Sequence, residues 1–185
     1  MAKKKNPWDR YPPEPKGDVD ESAIFTSVGI ALNWFEGLQM RLTSLFCALV
    51  ESESLALTRA FGTFESVPQK TQMILYAAEI TLMNHADLRK RTESLLTEVD
   101  QFSQRRNDIA HAHVMGYTAN NVWLGFFLVP GHHVSKKTSL TRIETWDYRF
   151  TAAQIDKYTQ EFRRVGNEIE NLAAEIKRTL KPRSA

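Results

Sequence analysis

The feature that most constrains this chain is a pair of matched apolar stripes near its two ends. Ile24, Val28, Ala31, Phe35, Leu38, Leu42, Leu45 and Leu49 step four and three residues apart, and so do Ile155, Tyr158, Phe162, Val165, Ile169, Leu172 and Ile176. The first stripe demands a helix about 45 Å long, and a helix of that length is covered only by a neighbour of similar length. The two are therefore the natural parallel or antiparallel pair of a helical bundle. Leu32, Trp34, Phe46 and Val50 widen the first stripe beyond one seam, which implies burial on two sides or a dimer face. Asp20, Glu21 and Ser22 supply its N-terminal capping, and Thr151-Ala152-Ala153-Gln154 opens the last helix as a capping box.

Between the stripes the pattern predicts three more helices. Leu55 to Phe64 buries Leu57, Ala60, Phe61 and Phe64. Ser66-Val67-Pro68-Gln69 starts a helix that runs to about Asn84. A fourth spans Ala86 to His113 and ends at Gly116 and the Tyr117 to Asn121 stretch. Val122 to Val129 then has β-type composition closed by Pro130-Gly131, and Thr138 to Phe150 reads as the returning strand. An isolated hairpin is marginal, so one over 122–150 must lie on the bundle or pair across a dimer. The expected fold is all-α, a four-to-five-helix bundle over residues 20–181 with a small β-hairpin inserted before the last helix. Residues 1–19 hold four prolines, five basic and three acidic residues, the composition of a flexible arm. Trp8 and Tyr11 within it have the chemistry to stack on a base or to dock on the body.

Composition excludes several classes. No apolar run reaches the roughly 20 residues needed to span a bilayer, and Lys3, Lys4 and Lys5 lead into prolines rather than a secretory segment. The single cysteine, Cys47, excludes an internal disulfide and fits a reducing, cytoplasmic setting; its place inside an apolar run gives it a packing role. The net charge of +2 says little about nucleic acid, but its distribution is uneven. Residues 21–84 carry three Lys or Arg against six Asp or Glu, and residues 114–185 carry eleven against seven. Lys136, Lys137, Arg142, Arg149, Arg163 and Arg164 would meet a polyanion if the fold gathers them; otherwise they are solvated faces.

Chemistry concentrates in QFSQRRNDIAHAHV, residues 101–114. Leu88, Leu95, Val99, Phe102 and Ile109 form one helical stripe, and Arg106 falls in it, where a guanidinium needs a partner. Asn107 and His111, four apart, share a helix face that the long Arg106 side chain can reach. This Arg-Asn-x-x-x-His pattern resembles the signature of the HEPN superfamily, an arginine followed by a polar residue and, four to six residues on, a histidine. The resemblance implies a HEPN-like helical domain that dimerises, with two motifs meeting in a cleft that cuts RNA without metal or other cofactor. It assigns proton transfer to His111, phosphate and transition-state stabilisation to Arg106, and orientation of His111 or the phosphate to Asn107. Arg105 and His113 stand beside them as substrate-binding residues or stand-ins, with Lys136 and Lys137 as further contacts to RNA. Such domains serve as toxins or in antiviral defence, which adds an antitoxin or partner protein to the expected partners.

Two other readings follow from the same residues. Arg106 pairs with an acid on a facing helix and the fold is a non-catalytic interaction or nucleotide-binding module; or His111, His113, His132 and His133, with Asp108, form a metal site. The second is geometrically poor, because His111 and His113 at i, i+2 point to different faces of a helix. Trp123, Phe126, Phe127, Trp146, Tyr148 and Phe150 are either base-stacking residues on an exposed hairpin or its packing face.

Overall fold

The stripes do form long helices. A computed structural model describes residues 6–131 and 148–180, in the order α1 (Glu21–Leu49), α2 (Leu55–Gly62), α3 (Val67–Thr81), α4 (Ala86–Ala110), β1 (Ala112–Ala119), β2 (Val122–Pro130) and α5 (Ala152–Leu180). The α1 stripe is buried throughout except for the half-buried Val28, and all seven α5 stripe residues are buried. Removing a Leu, Ile or Phe side chain of this kind from water is worth about 1.5–3 kcal/mol. The stops and starts have local causes. Ser66 and Gln69 close a reciprocal capping box with Pro68 in the first turn of α3, and Ser54 caps α2 by accepting from the Leu57 amide.

Spatially the chain divides into two compact units. Residues 1–35 and 104–161 form one, here the motif unit; residues 36–103 and 162–185 form the other, here the helical unit. The divisions fall inside α1, α4 and α5, so each of these helices contributes to both.

Among its described residues the helical unit contains only helices. Phe61 of α2 stacks on Phe46 of α1 with ring centroids 4.5 Å apart, and Phe102 of α4 meets Phe162 of α5 edge-on at 5.8 Å. Polar bonds tie its remaining elements: Thr71 donates to Asp100 at 2.9 Å, Thr81 to the Leu49 carbonyl at 3.0 Å, and Arg41 to Glu170 at 3.1 Å. Burial raises the Asp100 carboxyl above its ordinary range, against the opposing pull of the Thr71 hydroxyl.

The motif unit carries the hairpin, in a different register from the one expected. β2 pairs antiparallel with β1, the segment before it, with Ala112 opposite Pro130 and Ala119 opposite Val122. Asn120 and Asn121 are the two-residue turn, with φ of 49° and 61°. Positive φ at both positions is the signature of the type I′ turn, whose twist matches the strands, and asparagine tolerates it. Two expectations are thereby corrected. Helix α4 stops at Ala110 rather than His113, because the chain turns at His111 into a strand. The Gly116 to Asn121 stretch is strand and hairpin turn, not a helix terminus. Most of the expected returning strand lies outside the described residues; of its end, Phe150 makes one antiparallel bridge to Leu128.

That bridge lies on the edge of β2 away from β1. Phe150 and Leu128 exchange amide bonds of 2.8 and 2.9 Å, and Asp18 and Phe126 exchange bonds of 2.9 and 2.8 Å on the same edge. A sheet edge left open would offer unpaired backbone groups to another chain, so this cover matters. The register steps between Tyr117 and Thr118, leaving Leu124 as an extra residue on β2. The Leu124 carbonyl accepts from the Gly17 amide at 2.7 Å. Gly125 follows with φ of 107°, and a Cβ there would lie 2.7 Å from Asp18 O. Only glycine admits both that conformation and that approach.

Residues 6–20, which composition marks as an arm, lie against this unit through Asp18 and through the residues described next. Of the two fates open to Tyr11, it docks: its ring sits 4.8 Å from that of Tyr158.

Candidate functional site

Helix α4 delivers the motif at its last turn. Ile109 is buried, which fixes the rotation of the helix and leaves Arg106 half-buried, Asn107 exposed, and His111 exposed just past the end. The Arg106 guanidinium stands 6.0 Å from the centre of the Phe35 ring on α1, and its NH1 donates to Asn107 Oδ1 at 3.2 Å. The His111 amide donates to the Asn107 carbonyl at 3.1 Å, so an i to i+4 helical bond still joins the two residues although His111 is outside the helix. Arg106 and Asn107 are therefore brought together by their side chains, and His111 is joined to them through its backbone.

Asp108 is the centre of the polar network beside the motif. Its carboxylate, 12% exposed, is gripped in bidentate fashion by Arg10, Nε to Oδ2 at 3.0 Å and NH2 to Oδ1 at 2.8 Å. Arg105 reaches Oδ2 at 3.1 Å. The Asp108 carbonyl, one of the last of the helix, accepts from the Tyr148 hydroxyl at 2.6 Å, and the Arg10 guanidinium lies 4.8 Å over the Tyr148 ring. Two cations thus share one carboxylate, an arrangement that offsets the cost of removing these groups from water. Arg105, the neighbour of Arg106, thus pairs with an acid three residues on in the same helix.

An aromatic circuit frames this network. Tyr148 stacks on Phe150 at 4.8 Å, Phe150 meets Tyr158 edge-on at 5.5 Å, and Tyr158 meets Tyr11, the neighbour of Arg10. The Tyr158 hydroxyl accepts from the Tyr11 amide at 3.2 Å and donates to the Asp9 carbonyl at 3.1 Å. Burial pushes the Tyr158 phenol up to about 12, outweighing the Tyr11 amide and the Arg105 charge, which favour the phenolate. Burial, and then the Glu161 charge, also raises Tyr11.

The other residues singled out from sequence are dispersed. Arg105, 11% exposed on its side chain, faces Asp108. His113 is half-buried in β1 opposite Val129, on the hairpin face where Met115, Tyr117 and Leu124 pack against Phe127 and Val129. Arg149 stands over the Phe127 ring at 5.4 Å. Arg163 and Arg164 belong to the helical unit, where Arg164 pairs with Glu98 and Glu168. His132, His133, Lys136, Lys137, Arg142 and Trp146 lie outside the described residues. Among the described residues no three His, Cys, Asp or Glu side chains cluster as a metal site would require, and no helix is long and apolar enough to cross a membrane. Of the hairpin aromatics, Phe127, Tyr148 and Phe150 are core, whereas Trp123 is 52% exposed and rests edge-on against Phe126 at 5.1 Å.

Sequence reasoning missed Arg10, Tyr148 and Tyr158 as members of the network and saw Asp108 only as a poor metal ligand. Tyr158 carried one signal, a hydroxyl placed at a stripe position where the neighbouring heptads have only hydrocarbon. No protein-family model, curated protein or solved structure matches the chain.

Proposed function

We propose that this protein is a metal-independent endoribonuclease of HEPN type, active as a homodimer and serving as a toxin or in antiviral defence. The observation that carries the reading is the end of α4: an exposed imidazole, an exposed amide and a guanidinium bonded to that amide, all within six residues. RNA cleavage by the 2′-hydroxyl needs a group to take that proton, a positive charge on the pentacoordinate phosphate and a proton for the departing 5′-oxygen. An imidazole changes charge near neutral pH and serves the first or third need; the guanidinium fork serves the second. His111 transfers the proton, Arg106 holds the phosphate oxygens, and Asn107 orients the guanidinium it already accepts from. One chain supplies one such set, and a second copy across a two-fold axis supplies the complementary acid or base. RNA is the substrate, and an antitoxin or partner protein the regulator.

The test is RNA cleavage in EDTA by wild type, Arg106→Ala and His111→Ala, each checked for folding. Products with 2′,3′-cyclic phosphate ends, lost in both variants, are expected. Uncut RNA from folded wild-type dimer would remove the enzymatic reading. A non-catalytic module that binds RNA, a nucleotide or a partner protein is the second reading. Exposed apolar residues in the motif unit favour it: Phe25 and Ile30 on α1, and Val122 and Trp123 on the hairpin. Expression that arrests growth equally with and without the His111→Ala change would support the module.

A further inference from the structure

A stretch with four prolines among residues 6–20 has little apolar area with which to hold itself to a protein. Besides the Tyr11 ring on Tyr158 it has a series of polar anchors. Moving along it, Asp9 O and Tyr11 N both bond the Tyr158 hydroxyl, Pro12 O accepts from Gln154 Nε2 at 2.9 Å, Gly17 N donates to Leu124 O, and Asp18 bridges Phe126. Asp18 Oδ2 also accepts from the Ala152 amide at 2.8 Å, capping α5 from a distant part of the chain. Lys157 stands 5.2 Å over the Tyr11 ring.

Arg10 lies between the two anchors on Tyr158, so its backbone is fixed on both sides before its side chain is placed. The guanidinium then closes on Asp108 with two bonds. Asp108 follows Asn107 and precedes His111 by three residues. Its side chain is held by Arg10 and Arg105 and its carbonyl by Tyr148, so the last turn of α4 is pinned through both side chain and main chain at the residue between the motif's amide and its imidazole. Helix ends fray because their last carbonyls lack intrahelical partners; here the Asp108 carbonyl has the Tyr148 hydroxyl, and its carboxylate is held by a segment about a hundred residues away in sequence.

We propose that residues 6–20 are a clasp on the end of α4 and that Arg10 is a positioning residue, acting through Asp108 to set the placement of Asn107 and His111. The catalytic consequence rests on the nuclease reading; the clasp itself does not. The experiment therefore uses two readouts on the full chain, amide hydrogen exchange over residues 107–112 and RNA cleavage in chelator, for wild type, Arg10→Ala, Arg10→Lys and His111→Ala. Arg10→Ala should speed exchange over 107–112 by about tenfold or more, the worth of a charge-assisted bond, while exchange over residues 36–103 stays as in wild type. It should lower kcat by about tenfold with KM unchanged, and Arg10→Lys, which keeps the charge without the fork, should recover part of the loss. Unchanged exchange over 107–112 in Arg10→Ala overturns the clasp whatever happens to RNA. A raised KM at constant kcat overturns the positioning role, since Arg10 would then be a substrate contact. If wild type cuts no RNA, the nuclease reading fails, and exchange alone decides the clasp: faster over 107–112 upholds it, unchanged overturns it.

Discussion

The helical unit and the motif unit are held by different kinds of interaction. In the helical unit apolar stripes do most of the binding, and several of its ion pairs, such as Arg41 with Glu170 and Arg91 with Glu175, join exposed or half-exposed side chains that contribute little. In the motif unit the apolar core is interleaved with a largely buried carboxylate between two guanidinium groups, a buried phenol with two backbone partners, and a glycine at positive φ under the backbone of Gly17 and Asp18. Burial raises the stakes of each such contact, because a partner left behind has no water to replace what was lost. The lesson is that the units answer differently to the loss of one contact: repeated hydrocarbon contacts share the load in one, and single polar contacts concentrate it in the other.

Substitutions can break that contrast or sharpen it. The largest expected effect is on activity: His111→Ala, an exposed residue, should lower RNA cleavage by about 10²-fold or more while leaving thermal unfolding where it was. A parallel loss of Tm would mean that His111 is structural. Next comes Asp108→Ala, which takes the carboxylate from the mostly buried Arg105 and from the exposed Arg10 and should cost about 1–3 kcal/mol in urea denaturation. Gly125→Ala should cost about 1–3 kcal/mol by forcing a side chain into positive φ and against Asp18.

Tyr158→Phe should cost about 1 kcal/mol at neutral pH through two lost hydrogen bonds. It should also change the alkaline limb. The phenol of the folded protein, near 12, holds its proton above the ordinary value of 10, so its stabilising effect is complete below about pH 10 and is lost as pH rises toward 12. Wild type should therefore lose stability over that window more steeply than Tyr158→Phe. The smallest effect belongs to the helical unit, where Arg91→Ala should change stability by about 0–1 kcal/mol. An Arg91 effect equal to that of Asp108 would dissolve the distinction between the units.

The helices were legible because burial imposes a period on the residues that experience it, and the α1 and α5 stripes lie wholly inside the helices that form. The β1 strand was not legible, for a physical reason. Asparagine and glycine at positive φ end helices and also turn hairpins, so Gly116 and Asn120-Asn121 read equally well as the terminus of α4. The clasp escaped notice because its anchors are mostly main-chain atoms, Asp9 O, Tyr11 N, Pro12 O and Gly17 N, which leave no mark in residue type. At the candidate site the Arg106, Asn107 and His111 spacing was visible. The partner of Asp108 was not, since nothing local to residue 108 points to residue 10.

Helix α4 ends at Ala110 and β1 begins at Ala112, so His111 alone is the joint between a rod and a ribbon. There is no slack loop there to absorb motion. The ribbon extends about 26 Å from that joint, and along β2 it is braced by the backbone bonds of Asp18 to Phe126 and of Phe150 to Leu128. The imidazole thus stands at a corner where helix passes directly into sheet, on a residue whose neighbours on both sides are held in regular structure.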